Sequence, residues 1–368
     1  MVSEPARRSG ALLRPGAFDD PPTLRRGINI GGWLSQLSYD PGHVSTFVSA
    51  AAFDEISELG FDHVRIPVDE MLVFPDDLVD RPSSFALDVL GAARDWAARV
   101  GLAVILDLHQ TRDHSFLTEG SNALWHRRDA AERLVTFWTA ALDGLGSSPT
   151  MLVDLLNEPT IDDPTAWWRI AEEALYAIRR RHPAQWVIVE STPVAGVKAS
   201  PASVPHLPAA QPAGCLYGFH FYEPLAFTHQ SASWSSIGSY GLAPQEYPGA
   251  LRASTAELPP RYRAQFVGHW DRERLHACLV PHLAWAAERN VRLHCGEFGA
   301  YVDGPPPARY RWVADVVDGL EGRGVGWAYW TYKNMGFGLR YDTERRRRQP
   351  EYVTGLDRAL LARLMRGA

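Results

Sequence analysis

Apolar and polar positions along the chain alternate between two periods. Short runs rich in Val, Ile and Leu recur at 25–30 (RRGINI), 62–67 (DHVRIP), 102–108 (LAVILDL), 151–157 (MLVDLLN), 185–190 (QWVIVE), 214–221 (GCLYGFHF), 291–297 (VRLHCGE) and 325–331 (VGWAYWT). Runs of this length and composition read as buried strands. Between most of them the period lengthens to that of an amphipathic helix, as in 47–59, 85–99, 165–181 and 271–288. Strands that alternate with helices pair in parallel through right-handed crossovers. Eight such units predict an α/β protein, a (β/α)₈ TIM barrel, with its chemistry at the C-terminal ends of the strands. Residues 1–22 read as a flexible N-terminal extension and 23–368 as a single catalytic domain.

One gap departs from the spacing. Between the sixth and seventh strands the chain carries a Ser-, Pro- and aromatic-rich stretch at 224–268, a long loop insertion on the predicted catalytic face. Phe227, His229, Gln230, Trp234, Tyr240 and Tyr247 lie in it and suit stacking on rings and bonding to hydroxyls. Folded over the mouth, this segment would close one side of a groove.

The residues that end the strands carry the chemistry. The second run supplies Arg65, the third His109, the fourth Asn157 and Glu158, the sixth His220 and Tyr222, the seventh Glu297 and the eighth Trp330. Strands four and seven face one another across a closed barrel, so Glu158 and Glu297 form a carboxylate pair. Such a pair hydrolyses glycosidic bonds when one member is protonated and the other ionised. Arg65 is positioned to keep Glu297 ionised, and Tyr222 to hydrogen-bond it. His220 lies two residues before Tyr222, on the same side of the strand, within reach of Glu158. Asn157 suits a sugar 2-hydroxyl, and Trp330 an aromatic floor.

These segments resemble glycoside hydrolase family 5, the cellulase-like group. The likeness rests on HVRIP (63–67), DLH (107–109), LLNEP (155–159), FHFYEP (219–224), GEFG (296–299) and YWTYKN (329–334), and it covers about residues 25–335. It implies Glu158 as acid/base and Glu297 as nucleophile of a retaining β-glycosidase, with a carboxyl separation of about 5–5.5 Å. Arg65, His109, Asn157, His220, Tyr222 and Trp330 would support them, and no cofactor would be required. The opening GINIGGWLSQ is closer to the exo-acting branches, which implies action on β-glucosides, β-mannosides or short oligosaccharides. An endo-β-glucanase is the rival, and a catalytically weak carbohydrate-binding barrel the reading from a different class.

Further candidates have bland alternatives beside them. Trp33 reads as a sugar platform or a lid anchor, His114 as a sugar contact or a loop residue, and Lys333 and Asn334 as hydroxyl ligands. Glu190 reads as a hydroxyl ligand or, slightly preferred, a structural carboxylate. Asp107 reads as structural and turned away from the neighbours of His109. His109 itself has a satisfied core histidine as its alternative.

Composition narrows the function classes. A net charge of −6 gives no footprint for nucleic acid, and the basic run 345–348 reads as a solvated loop. Thirteen histidines raise a metal hydrolase, but the first strand ends in Asn29-Ile30-Gly31 rather than His-x-His, so no metal site is expected. Three cysteines allow at most one disulfide, and the two in strand-like segments read as buried free thiols. No apolar run of membrane-spanning length occurs, and no signal-like segment opens the chain. The expectation is a cytoplasmic protein whose partner is a carbohydrate substrate, with its oligomeric state open.

Overall fold

The computed structural model describes residues 20–76, 78, 81–115, 123–161, 163–192, 213–232, 234, 244–252, 263–302, 304–333, 335–341 and 355–366. Eight strands form a closed, all-parallel barrel: β1 (Arg26–Asn29), β2 (His63–Asp69), β3 (Ala103–Gln110), β4 (Met151–Asp154), β5 (Trp186–Glu190), β6 (Cys215–Phe221), β7 (Leu293–Phe298) and β8 (Gly326–Tyr329). Each pairs with its neighbours in sequence, and β1 closes on β8 through Arg26 opposite Trp327 and Ile28 opposite Tyr329. The eight strands fall where the apolar runs predict them.

Helices pack around this barrel: α1 (Ala50–Glu58), α2 (Ser84–Arg99), α3 (Arg128–Leu145), α4 (Pro164–Arg181), α5 (Arg272–Arg289), α6 (Pro306–Glu321) and α7 (Arg358–Leu364). Their starts are written locally. Asp163 caps the first turn of α4 and Asp271 that of α5, each accepting a backbone N–H that the helix leaves unpaired. Asn290 ends α5 in the left-handed region, at φ 51°. The connection between β5 and β6 lies largely at 193–212, outside the described residues.

Strand alternation sorts side chains into two environments. Outward residues such as Val104, Leu106, Val153, Val187 and Trp327 join the helices in one large apolar shell. Inward residues Ile105, Leu152, Ile188 and Leu216 form a small apolar layer of their own. One step further along the barrel axis the interior becomes ionic. Arg65, Asp107, Asp154 and Glu190 are all buried there. Among the described residues no helix is long and apolar enough to cross a membrane, and Cys215, Cys278 and Cys295 are free thiols.

The base of the 224–268 insertion is packed down, against the expectation that its aromatic residues line the site. Phe227 and Tyr247 are buried against each other, with ring centroids 5.7 Å apart. Tyr247 donates to Asp315 Oδ2 at 2.7 Å, and Arg311 Nε donates to the Tyr247 carbonyl at 2.9 Å, which ties the segment to α6. Gln230 and Gln245 clamp it internally, Gln245 N donating to Gln230 Oε1 at 2.8 Å. Tyr240 lies outside the described residues.

Candidate active site

Arg65 is the centre of the site. It projects from β2, where burial works against its charge. The charges of Asp107, Glu297, Asp154 and Glu190 outweigh that and hold its pKa well above the ordinary value. Its planar fork is fully used. Nη1 donates to Glu297 Oε1 at 2.7 Å and Asn29 Oδ1 at 3.1 Å. Nη2 donates to Asn157 Oδ1 at 2.9 Å and Glu190 Oε1 at 3.0 Å, and Nε donates to Asp154 Oδ2 at 3.3 Å. Asp107 Oδ2 adds an ion pair at 3.1 Å.

Glu297 reaches this cation because β7 is irregular. Phe219 of β6 pairs with Cys295 but His220 with Glu297, so Gly296 is an extra residue, a β-bulge. A Cβ on Gly296 would stand 3.0 Å from His220 Nε2 and 3.6 Å from Arg65 Nε. Gly296 and Glu297 therefore both face inward, and the tight approach needs a residue without a side chain. Tyr222 donates its hydroxyl to Glu297 Oε2 at 2.8 Å. Burial, then the charges of Glu297 and Glu158, push the phenol well above its usual pKa, so it remains a neutral donor.

Glu158 follows β4 with φ 43°, a left-handed conformation rare outside glycine. His220 Nδ1 lies 2.9 Å from Glu158 Oε1 and 3.5 Å from Glu297 Oε2. On its other edge, Nε2 sits 2.9 Å from Glu190 Oε1, a short ion-pair contact that is bent away from a linear hydrogen bond. Burial works to lower the His220 pKa, but Glu190, Glu297 and the hydrogen bond to Glu158 raise it well above 6.5. One ligand atom each from Glu158, His220 and Glu297 lie within 4.8 Å of one another. A second buried trio, Asp107, Asp154 and Glu190, is equally close, and Arg65 already supplies the positive charge between its members. Either trio has the spacing to hold a divalent cation, but in both the carboxylates are engaged by Arg65 or His220.

His109 and Trp330 form one wall. Their rings stack at 5.7 Å with an interplanar angle of 5°. Asp107 Oδ2 holds His109 Nδ1 at 2.7 Å. Residues two apart on a strand share a face, so Asp107 and His109 both point inward, opposite to the intervening Leu108 in the outer shell. Asp107 keeps His109 protonated above its ordinary pKa, against burial.

Three of the sequence candidates are placed elsewhere. Trp33 is 1% exposed and donates to the Val44 carbonyl at 2.8 Å, with its ring stacked on Trp96. It anchors the segment after β1 and offers no face to a sugar. Lys333 points at Phe47, its Nζ 3.3 Å from the Phe47 carbonyl and 4.7 Å from the ring centroid. His114 is buried behind Glu158: its Nε2 accepts from Thr160 N at 3.2 Å, and burial lowers its pKa to about 3. Asn334 lies outside the described residues. Trp234 is 52% exposed and packs its edge on His229 and Tyr301; His229 in turn meets Tyr222 at 5.2 Å. Sequence reasoning gave no weight to Asp154 or Asn29. Both lie at inward positions, and alternation was the signal that would have found them.

The family model described as Cellulase (glycosyl hydrolase family 5) matches residues 32–336. The chain is 28% identical to Endoglucanase C of Acetivibrio thermocellus over 91% of its own length and 98% of that protein's. It is 28% identical to Cellodextrinase A of Ruminococcus flavefaciens over 74% of this chain and 75% of that one. Among solved structures, Thermotoga maritima Cel5A in complex with a mannotriose substrate superposes with a TM-score of 0.71 at 25% identity, covering 93% of this chain and 97% of that one.

Proposed function

The chain belongs to glycosyl hydrolase family 5 and is a cellulase-like glycoside hydrolase, and we propose that it cleaves β-linked sugars with retention of configuration. The observation that carries this is the pair of carboxylates: an oxygen of Glu158 and one of Glu297 lie within 4.8 Å. Inverting enzymes hold their carboxyl groups about 6.5–9.5 Å apart to admit a water, and retaining ones about 5–5.5 Å.

In the first step Glu297 attacks the anomeric carbon, the bond to the leaving oxygen breaks, and Glu158 gives that oxygen its proton. In the second, Glu158 removes a proton from water as the water attacks the same carbon and Glu297 departs. Arg65 and Tyr222 hold Glu297 aimed and limit its charge. His220, protonated beside Glu158, stabilises the carboxylate left after proton transfer. Asn157, its oxygen fixed on Arg65, has its amide hydrogens to offer a sugar hydroxyl, and the His109–Trp330 stack forms the floor.

Removal of each carboxylate tests the assignment. Glu297→Ala should lose kcat by about 10⁴-fold or more, with azide restoring turnover and giving the α-azide from a β-glycoside. Glu158→Ala should retain the first step for aryl glycosides with good leaving groups and yield the β-azide. Anomers swapped between the two variants would reverse the roles.

The proposed substrates are β-glucosides, β-mannosides or short oligosaccharides, cleaved from a chain end. The half-exposed Trp234 beside the aromatic residues that border Tyr222 favours a site walled on one side. Internal cleavage is the second reading, favoured by the relative named an endoglucanase, which is matched over 98% of its length, and by the packing of the insertion's base onto α6. Reducing-end-labelled oligosaccharides decide it. Early release of monosaccharide from the non-reducing end supports the first reading, and a rapid fall in polymer viscosity the second.

A further inference from the structure

Glu190 ends β5 and touches neither reacting centre directly, yet it is bonded to the supports of both. Its two oxygens are divided. Oε1 accepts from Arg65 Nη2 at 3.0 Å and stands 2.9 Å from His220 Nε2. Oε2 accepts the backbone N–H of Glu158 at 2.9 Å. Arg65 passes on to Glu297 Oε1 at 2.7 Å, and His220 passes on to Glu158 Oε1 at 2.9 Å. The N–H that Glu190 secures belongs to the residue whose backbone is left-handed, so the carboxylate helps to hold Glu158 in a conformation its own side chain disfavours.

We infer that Glu190 is a positioning residue that sets both carboxylates of the pair, acting most strongly through His220 and the backbone of Glu158. This rests on the reading of Glu158 as acid/base. Glu190 is 2% exposed with both oxygens engaged inward, so it is no ligand for a sugar hydroxyl. Its charge is built in. Burial would raise its pKa, but His220 and then Arg65 prevail and hold it at about 2. A carboxylate suits this place, because the Arg65, His220 and Glu158 N–H groups that meet its two oxygens are all donors. A glutamine must turn its NH₂ either toward Arg65 and His220 or toward the Glu158 N–H, and each choice sets donor against donor. An aspartate is one methylene too short to span both sides.

The test is kinetic and spectroscopic, on the full chain. Glu190→Gln, Glu190→Asp and Glu158→Ala are compared on aryl β-glucosides whose leaving groups range from dinitrophenol to unsubstituted phenol. For Glu190→Gln, kcat/KM, which reports the first step, should fall by about 100-fold with phenol, the leaving group that needs an acid, and by less than about 10-fold with dinitrophenol. KM should not rise with any leaving group. Glu190→Asp should recover part of the loss. In ¹⁵N spectra of the native enzyme, His220 Nε2 should be protonated from pH 5 to 8, and in Glu190→Gln that proton should be lost at lower pH. A uniform rate loss for all leaving groups, or a raised KM with kcat intact, would overturn the role of Glu190 while Glu158→Ala still showed its leaving-group dependence. Absence of that dependence in Glu158→Ala would overturn the acid/base reading and this inference with it. If Glu190→Gln fails to fold, the native ¹⁵N spectrum decides: an unprotonated Nε2 at pH 6 refutes the contact, and a protonated one supports it.

Discussion

Alternate residues of β3 bury themselves in two different media. Val104, Leu106 and Leu108 meet the helices, where apolar surface is packed on apolar surface. Ile105, Asp107 and His109 face the barrel axis, where an apolar layer gives way within one step to charge. The same division runs through β4, with Val153 outward and Asp154 inward, and through β5, with Val189 outward and Glu190 inward. Burial alone therefore says little about what a position tolerates. The shell is held by contact area and volume, and its substitutions cost in proportion to the atoms removed. The interior is held by donors and acceptors that satisfy one another, so losing one partner leaves several unsatisfied.

Arg65→Met separates the two regions most sharply. It leaves the buried carboxylates without their common cation, so unfolding free energy should fall by about 3–5 kcal/mol and activity should vanish, both read from urea titrations and turnover. A loss no greater than that of a conservative shell variant would erase the distinction.

A pH series on Asp154→Asn sharpens it. Burial, then the neighbouring Glu190 charge, raises Asp154 well above 3.8 despite Arg65. The folded protein therefore keeps a proton that the unfolded chain releases. That contribution is fully present below about pH 3.8 and is lost as pH rises through the folded value. Asparagine mimics the protonated form, so the variant should match the native enzyme near pH 3 and gain on it steadily toward pH 8. Glu190 runs the other way: held at about 2 against 4.5, its contribution is present above pH 4.5 and lost toward pH 2. A disadvantage of Asp154→Asn that grew with pH would contradict the protonated carboxyl.

The shell supplies the smaller effects. Ile56→Val, in the fully buried face of α1, should cost about 0.5–1.5 kcal/mol, equally at every pH and with kcat unchanged. Smallest of all is the effect of a chelator. EDTA should leave turnover unaltered, and a loss restored by one specific divalent ion would return a metal to the carboxylate trios.

What was legible in the sequence follows the same division. Strand positions came from apolar runs, and apolar runs report the shell. Glu158, Glu297, His220 and Tyr222 were legible because reactive residue types stood at strand ends. Orientation was harder. Counting by twos from Cys295, which packs outward in the shell, would turn Glu297 outward as well; the bulge at Gly296 turns it back. Trp33 and Lys333 sat at plausible strand ends, but Val44, eleven residues on, and Phe47, from the other end of the chain, drew them away. No local pattern carries that information.

The hub at Arg65 also bears on how the enzyme is built in time. Its partners come from β1, β3, β4, β5 and β7 or the residues just beyond them, at sequence separations from 36 to 232 residues. Contacts that span such distances form only after long loops have closed, and they are entropically the costliest to make early. A half-barrel of the first four strands would hold Arg65 with Asn29, Asp107 and Asp154, lacking both Glu190 and Glu297. Catalytic competence and closure of the ring are thus one event, and turnover is a direct gauge of whether the last strands have docked.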